Sequence, residues 1–134
     1  MPVNENALLL ESSELLMRQV HPSQITEGRP AQATFTPTNR DNGLLSADRE
    51  SLISPKEAYE RYLRNKNLVA AGGAWGVSVK EALDLDLNSY ADPLQDNTAH
   101  ALIDFSSIAD QKLRQRKGKL LYAKARDRGR LYPH

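Results

Sequence analysis

A chain of 134 residues, 40% hydrophobic and 26% charged, has the make-up of one ordinary globular domain and is long enough to bury a real core. It has no cysteine, which excludes disulfides, thiolate zinc sites and a cysteine nucleophile. Its apolar runs fall far short of the ~20 residues that cross a bilayer. With no signal-type N-terminus, these features predict a cytosolic protein that engages no membrane.

The net charge of +1 conceals a division. Residues 1–108 carry 9 basic and 15 acidic side chains, whereas 109–134 carry 9 basic and 2 acidic ones. Between 81 and 104 there are six acids and no Lys or Arg. Two arrangements accommodate such a layout. The basic tail folds back on the acidic body, or it faces a polyanion such as nucleic acid.

In chain order, residues 1–7 read as a flexible N-terminus. Residues 15–21 read as a strand, closed by Pro22, which lacks the N–H a ladder needs. A regular strand puts Leu16, Arg18 and Val20 on one face, and Leu15, Met17, Gln19 and His21 on the other. Arg18 and His21 then point apart unless the strand bends before Pro22. Glu27-Gly28 starts a loop. Ala31, Ala33 and Phe35 alternate with Gln32, Thr34 and Thr36, the period of a half-buried strand. Asp41-Asn42-Gly43 signals a turn, after which Leu44-Leu45-Ser46 resumes an apolar stretch.

The clearest helix signal spans 54–67. Ser54 suits the N-cap, Pro55 the first turn, and Glu57 completes a capping box. Ala58, Tyr59, Tyr62 and Leu63 share one face, and Asn65 or Asn67 ends it. "AWGVSV" reads as a strand with Trp75, Val77 and Val79 on one side. "VKEALDLDL" begins as a helical turn and passes into an acidic loop through Pro93. "HALIDF", 100–105, reads as a buried strand. The final segment, 109–130, is a basic C-terminal helix whose pattern runs over 109–128, with Ala109, Leu113, Leu120, Leu121 and Ala125 as its apolar positions. This order predicts a single α+β domain: a small, mainly antiparallel or mixed sheet with two or three helices.

Few residues here carry chemistry. His134 is terminal. His21 and His100 sit at opposite strand ends, and in the fold they could meet near Arg18 or Ser46, where an imidazole would move a proton at neutral pH. The plainer alternative is that each His caps its strand. A metal site would need His21, His100 and carboxylates such as Asp41, Asp96 or Asp104 to converge, but no HxH or HExxH spacing is present, so no metal or cofactor is expected. The glycines of Gly72-Gly73-Ala74-Trp75-Gly76 precede a strand, the reverse of a phosphate-cradling loop. No serine lies in a GxSxG context. Lys112, Arg114, Arg116, Lys117, Lys119, Lys124, Arg126, Arg128 and Arg130 could neutralise phosphates, or be solvated around a helix that packs on the sheet.

The motifs Arg18-x-Val20-His21-Pro22, Phe35-x-Pro37, Asp41-x-Gly43-x-Leu45-Ser46 and His100-Ala101-x-Ile103 resemble those of a family of small bacterial proteins of uncharacterised activity. The resemblance covers about residues 15–130 and implies no reaction. A weaker likeness is to ADP-ribosyltransferase-type domains, with Arg18, His21 and Ser46 in the first two strand positions of that pattern. No residue fills the glutamate role found in some branches. Three functions are therefore expected in turn. The first is a module that binds a protein partner, suggested by the opposed charge blocks. The second is an enzyme acting on a nucleotide or nucleic acid: Arg18 would hold phosphate, His21 or His100 move a proton and Ser46 orient the substrate. The third is nucleic-acid binding through 112–130.

Overall fold

The computed structural model describes residues 3–38 and 42–133. Its strands are β1 (Leu15–Val20), β2 (Ile25–Thr26), β3 (Arg29–Pro30), β4 (Leu44–Arg49), β5 (Gly73–Ser78), β6 (Asn88–Ala91) and β7 (His100–Asp104), and its α-helices are α1 (Pro55–Lys66), α2 (Val79–Leu83) and α3 (Gln111–Arg128). Five strands form one sheet in the order β5-β1-β4-β7-β6, with every pairing antiparallel, and β2 and β3 make a separate hairpin. This is the α+β architecture the sequence predicts. Among the described residues no helix is long and apolar enough to cross a membrane.

Local chemistry accounts for most element ends. Ser54 Oγ accepts from Glu57 N–H and donates to the Glu57 carboxylate, Pro55 opens α1, and Asn67 closes it in the left-handed region. A full capping box, Ser78 with Glu81, starts α2 directly off the end of β5. Glu27 and Gly28, both at positive φ, form the two-residue turn that joins β2 to β3.

The core lies between the sheet and α3. Leu16, Val20, Val77, Ala101, Ile103 and Phe105 meet Leu121, Tyr122 and Ala125 there. The buried stripe of α3 is Gly118, Leu121, Tyr122 and Ala125, at i, i+3, i+4 and i+7. Leu120, expected on that stripe, is 49% exposed. A Cβ on Gly118 would overlap the Thr36 hydroxyl and lie 3.0 Å from the Phe35 carbonyl oxygen, so this glycine lets α3 touch the chain beneath it.

Three local expectations need correcting. Residues 31–36 are not a strand. Gln32–Phe35 is a 3-10 helix whose i→i+3 bonds are backed by Thr34 Oγ1 on the Ala31 carbonyl, and Phe35 is fully buried. The acidic stretch is not all loop, because Asn88–Ala91 is the edge strand β6. The first strand ends at Val20, and His21 caps the short 3-10 helix Pro22–Gln24. At the N-terminus, Glu5–Ala7 forms a 3-10 turn and Leu8 bridges to Tyr90, which covers the β6 edge.

Candidate functional site

β1 and β4 pair only at Leu16 with Arg49 and Met17 with Asp48. Beyond Met17 the strands part, although β1 stays zipped to β5 as far as Val20 and β4 stays zipped to β7 as far as Leu44. The sheet therefore splits along this seam. Arg18, which shares its face of β1 with the buried Leu16 and Val20, fills the split. Its Nε donates to the Thr34 carbonyl at 2.6 Å and its Nη1 to the Ser46 carbonyl at 2.5 Å. The second bond serves a strand carbonyl that a continued ladder would have used.

Above the split lies a cleft of about 430 Å³, within the size range of small-molecule sites. Its lining includes Arg18, Gln19, Ser46, Asp48, Tyr62, Lys66 and His100. Register explains the convergence. Asp48 is opposite His100, and Ser46 is opposite Leu102, so Ser46 and His100 are diagonal neighbours on one face, roughly 7–8 Å apart between backbones. The C-terminal half of α1 forms a wall carrying Tyr62 and Lys66. That helix is fixed by Arg61, which meets Asp48 at 2.9 Å and Asn97 at 2.8 Å.

Two basic side chains, Arg18 and Lys66, line the cleft. Among the described residues the one carboxylate in its lining, Asp48, already faces Arg61 and the Asn97 amide. Arg18 contributes a positive charge held in place by two carbonyls, and Lys66, exposed, makes no ion pair among the described residues. Burial raises the Tyr62 phenol above its ordinary value of 10.0, with the nearby Arg18 charge pulling the other way, so Tyr62 remains an O–H donor at neutral pH. His100 Nδ1 lies 2.9 Å from the Asp92 carboxylate and 3.2 Å from the Asp92 carbonyl. An ionised carboxylate and a carbonyl only accept, so Nδ1 carries a hydrogen, and in the neutral ring this leaves the lone pair on Nε2.

Of the four catalytic candidates from the sequence, the fold brings together Arg18, Ser46 and His100. His21 lies elsewhere: it is exposed, and its Nδ1 accepts from Ser23 N–H at 3.1 Å. Pro22 opens a 3-10 turn there instead of bending His21 inward. Asp41, one of the metal-site carboxylates considered, lies outside the described residues, as does His134. Among the described residues no group of three His, Asp or Glu side chains is placed to hold a metal ion. Gln19, Tyr62, Lys66 and Asp92 were not singled out from the sequence. Tyr62 and Lys66 fall four apart on α1, a spacing that could have flagged them as one face.

Part of the basic helix and the residue after it fold back on the body. Arg128 meets Glu81 through two nitrogens at 2.8 and 3.0 Å, and Lys117 Nζ reaches the Leu85 carbonyl at 2.5 Å, both within the acidic stretch. Arg114 bonds the Ile108 carbonyl, Arg126 pairs with Asp127, and Arg130 reaches the Gly72 carbonyl. Lys112, Arg116, Lys119 and Lys124 are exposed, as are Arg126, Arg128 and Arg130. Comparison of the chain with protein-family models, with curated proteins and with solved structures finds no match.

Proposed function

We propose that the cleft binds a phosphorylated small molecule and that His100 moves a proton on it, the chemistry of phosphoester cleavage. The observation that carries this reading is the meeting of Arg18, Lys66 and the Asp92-held His100 in one cavity. Arg18 and Lys66 supply positive charge, and Ser46 and Tyr62 supply hydroxyl donors, the groups that hold phosphate oxygens. His100 Nε2 serves as general base or acid, with Asp92 fixing its tautomer as a positioning residue. This reading takes precedence over nucleic-acid binding by α3, because five of the nine basic side chains there are engaged within the chain. It also takes precedence over partner binding, since that expectation rested on opposed charge blocks and Arg128 and Lys117 contact the acidic stretch.

The test is calorimetric titration of the full chain with ribose 5-phosphate, followed by an assay for phosphate release from phosphate monoesters. The expected result is saturable one-to-one binding that weakens with salt. His100→Gln is expected to lower turnover by about 100-fold with Kd little changed. Absence of binding to any phosphate monoester at low salt would overturn the reading.

A further inference from the structure

Lys112, Arg116 and Lys119 fall at i, i+4 and i+7 of α3, so they form one row about 10 Å long within about 60° of arc. The row points away from the buried stripe of the helix. All three residues are exposed, and none is in an ion pair among the described residues. Lys124 lies off this row, and its charge acts on Glu81. Between Asp110 and Asp127 the helix has no acid; Asp110 caps its start and Asp127 faces Arg126. Like charges at i, i+3 and i, i+4 repel, so the row costs the helix stability that a bound polyanion restores. The row also ends in a recess. Lys119 borders a hollow of about 220 Å³ between α3 and the 3-10 helix Gln32–Phe35, together with Gln32, Ala33, Thr36 and Gln115. Gln32 and Gln115 are exposed, so their amides are open to a ligand. The hollow is smaller than the roughly 300 Å³ at which whole small-molecule sites begin, and it takes one ring system.

We infer that this face binds single-stranded RNA, with phosphates along Lys112, Arg116 and Lys119 and one base in the recess between Gln32 and Gln115. A carboxamide presents an N–H donor and a C=O acceptor side by side, and nucleobase edges present the matching pair. Only an unpaired, unstacked base can enter such a recess, and single-stranded RNA splays its bases out in this way. The planar Arg116 guanidinium suits bidentate contact with a phosphate. Charge alone would serve an anionic membrane or an acidic protein equally well. A membrane surface calls for apolar side chains beside the cations, and Leu120 is the one large apolar residue exposed on α3 among the described residues. An acidic protein needs the row and leaves the recess unused. A single phosphate gains little from any one exposed cation, so this face answers to a polymer and not to a monoester. The row and the recess share no residue with the cleft beside β1 and β4, so the inference stands apart from the reading of that cleft.

The experiment is fluorescence anisotropy of the full chain with a labelled single-stranded RNA of about ten nucleotides and mixed sequence, over a range of salt. Three neutralised phosphates predict a slope near −2 in log affinity against log salt, about a 20-fold loss from 50 to 200 mM. Lys112→Gln, Arg116→Gln and Lys119→Gln together should bring that slope close to zero. Gln32→Ala with Gln115→Ala should weaken single-strand binding about tenfold, keep the slope, and leave binding of the same RNA as a duplex within about twofold. All these side chains are exposed, so both variants should melt like the native protein. Ribose 5-phosphate binding in the cleft should be the same in both, which keeps failure of one reading distinct from failure of the other. No binding at low salt would overturn the inference, as would a slope that survives the triple variant. Single-strand affinity indifferent to the two glutamines, or displacement of the RNA by polyglutamate at equal charge, would also overturn it and mark the row as a surface for any acidic chain.

Discussion

The seam between β1 and β4 is closed at one end and open at the other, and the arginine at each end does a different job. At the closed end the buried Glu14 carboxylate takes a bidentate pair of bonds from Arg49, at 2.8 and 3.2 Å, and a short one from the Ser51 hydroxyl. Those charges are consumed in joining the strands, and Glu50 N–H continues the ladder to the Leu15 carbonyl. At the open end the Arg18 guanidinium donates to the backbone carbonyls of Thr34 and Ser46, so it spends donors on main chain that the parted strands leave behind. A sheet that zipped fully would have left no cleft. The fold gives up ladder bonds over a few residues, and Arg18 replaces part of them.

The largest expected effect comes from breaking the closed end. Glu14→Ala leaves Arg49 without its carboxylate in a partly buried setting, and should cost about 3 kcal/mol in urea unfolding. Ligand binding by the folded fraction should stay within about twofold, because Glu14 lies outside the cleft lining. At the open end Arg18→Leu should cost about 2 kcal/mol by orphaning two carbonyls, and should also abolish phosphate binding. Lys66→Ala separates the two roles. Stability should change by less than about 0.5 kcal/mol, since the side chain is exposed, while phosphate ester affinity falls about tenfold at low salt and less at high salt.

The smallest effect belongs to a pair remote from both ends. Burial tends to raise the Glu81 carboxyl, but hydrogen bonds from Arg128 and from the Ser78 N–H, with the Arg128 and Lys124 charges, bring it below its ordinary 4.5. A carboxyl held lower in the folded state adds stability that is fully present above the ordinary value and is lost as pH falls through the folded one. Glu81→Gln should therefore reduce stability at neutral pH and flatten its decline below pH 4.5, with no change in phosphate affinity. Thermal unfolding across pH 3 to 7 reads this directly, and a parallel decline in the native protein and the variant would contradict the assignment.

Elements with strong local chemistry were legible from the sequence. Ser54-Pro55 announced α1, Trp75 and Val77 announced β5, and "HALIDF" announced β7. What failed was where tertiary contact overrides pattern. The alternation of Ala31, Ala33 and Phe35 imitates a strand, yet the segment coils so that Phe35 enters the core beneath Gly118 of α3. Apolar counting favoured Leu113 and Leu120 on α3, whereas the packed stripe needed the small Gly118 and the large Tyr122. Polar Asn88 and Ser89 hid β6. For the site, Arg18, Ser46 and His100 could be suspected as residue types, but their meeting depends on the register of β4 with β7 and on the split seam. Neither is written in any one segment, and so Gln19, Tyr62, Lys66 and Asp92 emerge only from the fold.

The most direct test of the central claim, that the open end of the seam is a phosphate site, is an amide NMR titration of the full chain with ribose 5-phosphate. The account predicts saturable shifts at Arg18, Gln19, Ser46, Tyr62, Lys66 and His100, with Lys112, Arg116 and Lys119 on α3 unmoved. Shifts confined to those α3 residues, or no shifts at all at low salt, would contradict it.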